Sequence, residues 1–457
     1  MGSCIRRQVV VGVLVALAAC DAEEAEPASD ATGITASTTG AGGDSTSGSA
    51  PPASTSTSSG PVSTASTGGD ADGSSGGPSN PSFDLGMPDV PEVRPPDYGT
   101  TPLEQVWYLT NGVDSDILID FNVAPPLVTC EGVIGTSSGI EGTAVFTRPD
   151  TGALLFYTDG NTVLNGQSHN PVANGTGLNG NSSCTEAALI TPSPADEDVF
   201  YIFTNPTSAA ADSSLYYSVI DLSQGPDGTV TVANELLTTG NPGEALDALP
   251  HGNGSDFWVL SYDGAASISA FLVDANGVSP EPVVSATGWT GAVYRASINH
   301  SEDYGRVLLS AGQGGDCGFI ATADFDAETG AVSNFVRHVD DCLGTGYQAS
   351  FSPDATKIYY TQGAQGYSGT PWQYDLVTGV ATQLSTTSGF GASKLAPDDR
   401  VYFVGVDKTS LAVVTQPNAS GPLAAYVEDG LPLQGCTSGY AVPNQTSAFL
   451  AFLGPEG

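Results

Sequence analysis

An all-β fold built from a repeated sheet is predicted by three features of residues 104–457. Their apolar residues come in short runs rich in Val, Ile, Tyr and Phe, bounded by Gly, Asp, Asn and Pro, which is the pattern of strands closed by turn residues. No helical periodicity persists over more than two turns. One unit, an apolar strand, a turn and a second strand bearing aromatic residues, recurs at spacings of 44, 59, 49, 53 and 44 residues. That period fits the four-stranded blades of a β-propeller and is too long for a leucine-rich or hexapeptide solenoid.

The chain begins with an export signal. Arg6 and Arg7 form a positive n-region, and Val9–Ala19 is an apolar stretch of eleven residues, too short to span a bilayer. It ends in Leu17-Ala18-Ala19-Cys20, which resembles the lipobox of bacterial lipoproteins. The resemblance implies cleavage before Cys20 and acylation of its thiol; an ordinary cleaved signal with a chance cysteine is the alternative. The paired arginines leave the twin-arginine route open.

Residues 20–103 read as a tether. Asp and Glu number 12 against the single basic residue Arg94, and Phe83 and Tyr98 are the only aromatic residues. Such a stretch cannot bury enough apolar area to offset its ordering entropy. Runs such as "STSTSSGPVSTASTGG" are flexible linker, stiffening into "MPDVPEVRPPDYGTTP" before residue 104. About 80 residues give a root-mean-square reach of roughly 50 Å and a full extension of roughly 270 Å, enough to hold a domain well off its membrane.

The body, residues 104–457, carries all four tryptophans and 38 acidic against 8 basic side chains. The repeated unit starts at Phe146, Ile190, Leu249, Ile298, Phe351 and Leu395. Between units lie second hairpins, the clearest being "GFIATADFDAETGAVSNFVRH", which supply the outer strands of a blade. Strands remain at both ends, "QVWYL" and "DILIDF" before the first unit and "GYAVPNQTSAFLAFL" after the last. Combined, they complete a seventh blade and close the ring, removing the exposed edges of an open array. Six or eight blades, or a pair of sandwiches, are the alternatives.

Through "GTAVFTRPDTGALLFYTDGNTV", "HGNGSDFWVLSYD", "FDAETGAVSN", "ASFSPDATKIYYT" and "LAPDDRVYF", nearly the whole body resembles the WD-repeat-like propeller modules of secreted bacterial surface proteins, including the gliding-motility-associated type. The matches fall on blade and turn positions, so the resemblance implies a fold and surface display rather than an activity. The C-terminal sorting module usual in that group is absent, and gliding is not inherited.

Five cysteines fall in the body. Export makes disulfides plausible. Cys317 and Cys342 lie symmetrically about the turn near Thr329-Gly330, which sets them face to face at the open end of one hairpin. Cys130, Cys184 and Cys436 each precede an expected innermost strand and are expected near one mouth of the channel. One pair and one free thiol is the simplest assignment, and three unpaired buried cysteines the alternative. No CxxC or closely spaced histidine pair supports zinc, and no cofactor is implied.

The catalytic inventory is thin. His169, His251, His300 and His338 stand outside any HExxH, and no GxSxG elbow, P-loop or helix-opening GxGxxG occurs. His251 in "LPHGNGSDFWVL" is the strongest candidate base, although a histidine opening a blade turn more often bonds within the blade. Asp340-Asp341 and Asp398-Asp399 lack the alternation of a calcium loop and read as solvated.

A net charge of −39 repels nucleic acid and anionic lipid headgroups, which require lysine or arginine surfaces. Two functions survive. One is a non-enzymatic, monomeric, lipid-anchored propeller at the outer membrane or cell surface whose loops bind a protein or polysaccharide. The other is a propeller-fold glycan lyase or hydrolase using channel carboxylates and His251.

Overall fold

A computed structural model describes residues 105–111, 116–131, 141–148, 151–181, 183–206, 214–240, 243–289, 295–312, 318–341, 347–363 and 369–444. The signal, Cys20, the tether and the segment after 444 lie outside the described residues, as do Cys317 and Cys342. Among the described residues, regular structure is 28 strands and one 3-10 turn at Gly421–Ala424.

The first sheet joins β1 (Val106–Thr110), β2 (Asp116–Asp120) and β3 (Leu127–Glu131). Two antiparallel meanders follow. One comprises β4 (Ala144–Thr147), β5 (Leu154–Thr158), β6 (Thr162–Asn165) and β7 (Pro171–Thr176); the other comprises β8 (Ala188–Ser193), β9 (Asp196–Thr204), β10 (Leu215–Asp221) and β11 (Thr229–Thr238). Their last strands meet at one parallel pair, Thr229 with Ala173, which merges them into an eight-stranded sheet. The next sheet holds β12 (Ala245–Pro250), β13 (Phe257–Tyr262) and β14 (Ser267–Asp274), with β15 (Gly277–Val278) and β16 (Val283–Ala286) both on β14.

Three four-stranded meanders complete the order. They are β17 (Arg295–His300) to β18 (Arg306–Gly312), β19 (Gly318–Asp326) and β20 (Ala331–Asp341); β21 (Ser350–Phe351) to β22 (Lys357–Gln362), β23 (Thr370–Asp375) and β24 (Val380–Gln383); and β25 (Ala392–Leu395) to β26 (Val401–Val404), β27 (Ser410–Val414) and β28 (Tyr426–Pro432).

Burial explains the composition of each strand. First and second strands are covered on both faces by neighbouring sheets, so ALDALP of β12 and FWVLSY of β13 are buried at every position and read as continuous apolar runs rather than alternating ones. Last strands lie at the rim, and VATQ of β24 is largely exposed.

First strands stand side by side in chain order, β4 by β8, β8 by β12, β12 by β17, β17 by β21 and β21 by β25, with β1 also beside β4. The circle closes where Trp107, Ile117 and Phe121 of the first sheet pack with Tyr402, Leu411 and Leu433 of the last. Trp107 lies edge-on to Phe121 at 5.0 Å and to Tyr402 at 5.7 Å. The chain then returns, and Asn444 pairs in parallel with Ala144, its N–H donating to the Thr143 carbonyl at 2.6 Å. Meanders arranged radially, each packing face to face on the next, constitute a β-propeller.

The sheet count differs from expectation. In place of seven separate four-stranded blades, hydrogen bonding gives five sheets of four or more strands and one of three. The contact between β7 and β11 fuses two meanders, and the first sheet has three strands among the described residues. The cysteine placement also differs. Cys130 lies within β3, at the edge of the first sheet, rather than ahead of an innermost strand.

Much of the acidity is turn chemistry. Asp221, Asp274, Asp326 and Asp375 each end the third strand of a sheet, and each carboxylate accepts a backbone N–H two residues on, from Ser223, Asn276, Glu328 and Val377. Asn165 does the same for Gln167. These Asx turns fix the outer hairpins.

Candidate functional site

Superimposing the starts of the inner strands by sequence brings Glu141, Glu186, Glu244, Arg295, Gln348, Gly391 and Tyr440 to one equivalent position. Each is followed by a small residue: Gly142, Ala187, Ala245, Ala296, Ala349, Ala392 and Ala441. The small residue is required where neighbouring backbones converge. Gly142 donates its N–H to the Cys184 carbonyl at 3.0 Å, and a Cβ there would stand 2.5 Å from the Thr185 carbonyl oxygen and 2.7 Å from the Ala187 nitrogen.

The polar side chains at this position tie one sheet to another. Glu244 accepts from the backbone N–H and the hydroxyl of Thr185 through Oε2, at 2.9 and 2.7 Å. Glu186 reaches two sheets at once, accepting from the Leu246 N–H at 2.7 Å and the Ile298 N–H at 3.3 Å. Gln348 accepts from the Val442 N–H at 2.9 Å and donates to the Val442 carbonyl at 3.4 Å. Asn444 donates through Nδ2 to the Leu246 carbonyl at 2.8 Å. Glu141 accepts at Oε1 from the Tyr347 hydroxyl at 3.2 Å, a contact between residues 206 apart in sequence. The Tyr347 ring stacks on Tyr440 at 6.0 Å and 10°, with the Arg295 guanidinium 5.9 Å from its centroid.

Burial dominates the electrostatics. Glu141, Glu186 and Glu244 are 8%, 2% and 1% exposed, and removal from water disfavours a charged carboxylate. Burial followed by the repulsion of Glu244 pushes Glu141 up to about 8, against the opposing pull of Arg295. Glu186 is also pushed well up by burial, partly offset by the N–H of Leu246. Burial, reinforced by Glu244 and Glu141, raises the Cys184 thiol, so that cysteine is an inert apolar group rather than a nucleophile.

The histidines singled out by sequence do not converge here. His251 accepts from the Asn253 N–H at 3.0 Å and stacks on Trp258 at 5.4 Å. His300 pairs through Nδ1 with Asp247 at 2.9 Å. His338 bonds the Thr322 hydroxyl at 2.7 Å and His169 the Tyr157 hydroxyl at 3.1 Å. Asp398 accepts from the Tyr402 hydroxyl at 2.8 Å, and Asp340 lies 3.5 Å from Arg337. Among the described residues no group of three or more His, Cys, Asp or Glu side chains is placed to hold a metal ion.

Cys130 and Cys436 form a disulfide, and Cys184 is a buried free thiol. The candidate pair Cys317 and Cys342 falls outside the described residues, although the last register pair before them, Gly318 with Asp341, is formed. No described helix is long and apolar enough to cross a membrane. The buried carboxylates Glu141, Glu186 and Glu244 were not identified from sequence. The signal that finds them is the acid-then-small dipeptide opening successive inner strands.

No protein-family model matches the chain, and no curated protein sequence matches it either. Among solved structures, the β-propeller domain of Myceliophteria thermophila Cps50 (Swd1) is similar over 64% of this chain and 87% of that one, at 11% identity and a TM-score of 0.39. TolB from Acinetobacter baumannii is similar over 74% and 81%, at 14% identity and 0.32. A Synechocystis apocarotenoid oxygenase mutant is similar over 75% and 92%, at 12% identity and 0.37.

Proposed function

We propose that this chain is a non-enzymatic lipoprotein of the bacterial cell envelope, anchored through Cys20 and displaying a propeller that binds a surface protein or polysaccharide. The propeller is read as a seven-bladed monomer, with the eight-stranded sheet counted as two blades and the three-stranded sheet as a blade of its own. The carrying observation is where the reactive side chains are spent. All four histidines bond to scaffold partners, and the buried carboxylates Glu141, Glu186 and Glu244 accept hydrogen bonds from neighbouring sheets. Recognition is thereby left to the loops, the usual place for it on a rigid scaffold.

The enzymatic reading draws support from one feature. Glu141 held neutral beside Glu244 resembles the paired carboxylates of glycan hydrolysis, one acid and one base. Two experiments separate the readings. Cys20→Ala is expected to abolish acylation and release the chain from membranes; unchanged partitioning would overturn the anchor. The purified mature chain is expected to retain glycans or envelope proteins without converting them. Turnover of a glycan that Glu141→Gln eliminates would overturn the non-enzymatic assignment.

A further inference from the structure

At the seam between two neighbouring sheets, a guanidinium is clamped by aromatic rings with its donors largely unspent. Trp289 follows β16, where its backbone N–H donates to the Thr287 hydroxyl at 3.2 Å; Phe319 lies in β19, and Phe335 and Arg337 lie in β20. The seam is fixed by the Ser285 hydroxyl of β16, which accepts the Val332 N–H of β20 at 2.9 Å. The Arg337 guanidinium carbon is 4.1 Å from the centroid of Phe319 and 4.6 Å from that of Trp289. Phe335 meets the Trp289 ring edge-on at 5.5 Å. Cross-strand register, Ala296 to Ala311 to Phe319 to Asp340, sets this cluster level with the starts of the inner strands.

Rings stacked on a guanidinium cover its faces and leave its donors, which point outward in its plane, for other partners. Nε of Arg337 is buried with no hydrogen-bond partner. Nη1 stands 3.5 Å from Asp340 Oδ1, and the two side chains are 28% and 60% exposed, an ion pair of little energetic weight. Two other cations of the body are committed to carbonyls, Arg306 to Ala355 at 2.7 Å and Lys408 to Ser388 at 2.8 Å. Trp289 is equally uncommitted. Trp107 is fully buried, and Trp258 and Trp372 donate their indole N–H to the Ala327 carbonyl and the Thr370 hydroxyl at 2.8 and 2.9 Å. The half-buried Trp289 indole donates to nothing among the described residues.

We propose that Trp289, Phe335 and Arg337 form a subsite for a uronate, a pyranose bearing a carboxylate, within a polysaccharide ligand; this rests on the glycan-binding form of the function proposed above. A uronate fixes an apolar C–H face and a planar carboxylate on one rigid ring. The cluster fixes an aromatic ring beside a planar fork that meets a carboxylate with two parallel bonds. An acidic peptide carries its carboxylate on a flexible stem without that apolar face. The body's 38 acidic against 8 basic side chains repel a continuous polyanion, which selects a glycan whose uronates are spaced by neutral sugars. The incoming carboxylate takes the place of Asp340 beside Arg337.

Isothermal titration calorimetry on the mature full-length chain compares a tetrasaccharide of neutral hexoses carrying one glucuronate, its carboxyl-reduced counterpart and an acidic tetrapeptide. The glucuronate compound is expected to bind roughly tenfold or more tighter than either of the others. Arg337→Lys, which keeps the charge and loses the fork, and Trp289→Ala are each expected to weaken it roughly tenfold or more. Asp340→Asn, which removes the competing anion, is expected to tighten it by about threefold, and Arg400→Ala, at an exposed arginine paired with Asp398, to leave it within about twofold. Equal affinity for the glucuronate and reduced sugars, or for the peptide, overturns the proposal on the native chain alone, so a variant that misfolds does not suspend the decision. Full affinity in folded Arg337→Lys overturns it too and leaves a glycan-binding propeller standing. A chain that binds neither sugar but retains envelope proteins refutes the subsite while the non-enzymatic reading survives. Release of shorter sugars from the tetrasaccharide refutes that reading itself.

Discussion

Replacing both Cys130 and Cys436 with serine tests the closure of the ring, because their bond joins the first sheet to the chain that leaves the last one. The bridge spans 306 residues. In the chain-entropy treatment, a cross-link of that length removes about 19 cal/mol/K from the unfolded ensemble, equivalent to about 6 kcal/mol at 25 °C. A folded body of roughly 350 residues unfolds with an entropy near 0.7 kcal/mol/K, so the full effect corresponds to a fall of about 8 °C in Tm. Cross-links often deliver less than this ceiling, and a fall of roughly 4–8 °C is expected. Differential scanning calorimetry without reductant compares the native chain with the double variant, which avoids leaving one reactive thiol. The unfolding enthalpy should change little, because packing of Trp107 on Phe121 and Tyr402 does not depend on the bond. A variant that melts within about 1 °C of the native chain would show that the ends are already held together when the chain unfolds, and the closure argument would fail.

Three further changes probe the same architecture. Trp107→Ala, at a fully buried site between the first and last sheets, is expected to cost about 3–5 kcal/mol, read as a lower denaturation midpoint with one cooperative transition rather than two. Gly142→Ala forces a methyl against backbone atoms of the next sheet and should cost roughly 1–3 kcal/mol in urea unfolding, while alanine at Gly305, where a Cβ meets nothing nearer than the Asp303 carboxylate at 3.5 Å, should cost far less. The pH dependence follows from Glu141. Its folded pKa lies above the unfolded one, so its contribution is complete below about pH 4.3 and is lost as pH rises through about 8. The native chain should lose stability over that window by at most ~1.4 kcal/mol per unit, and the difference between native and Glu141→Gln in midpoint against pH isolates the effect.

The β-strands were legible in the sequence because propeller strands are short and strongly signalled. Runs such as DFWVLSY are bounded by turn residues, and β12 to β13 form the hairpin that the unit at Leu249 predicts. The outer hairpin of β19 and β20 was also visible, because Asp326 and Gly330 mark its turn. What the sequence concealed was anything set by contacts between sheets. The pairing of Cys130 with Cys436 depends on two segments meeting across ring closure, and spacing along the chain carries no trace of it. The fusion of β7 with β11 rests on one backbone pair and on amide side chains reaching across it, Asn174 to the Val230 carbonyl and Asn234 to the Gly177 carbonyl, which the sequence does not distinguish from other loop asparagines. Glu141, Glu186 and Glu244 looked like three of 50 acidic residues. Only burial distinguishes them from Asp221 or Asp274, whose carboxylates serve their own turns.

The same carboxylates bear on how near-identical sheets find a single order. Apolar faces built from Val, Ile, Phe and Tyr are interchangeable, and a sheet packing on the wrong neighbour would bury a similar area. The equivalent positions opening the inner strands are not interchangeable: Glu141 is matched to Tyr347, Glu186 to the N–H groups of Leu246 and Ile298, Glu244 to Thr185, and Gln348 to Val442. A misordered ring would leave at least one of these buried groups without its partner, at a cost of about 1–3 kcal/mol per group and more for a charged one. Buried polar pairs of this kind add little net stability in the correct fold. Their effect is to widen the gap between that fold and its permutations, which gives a physical reason for buried glutamates at the starts of the inner strands.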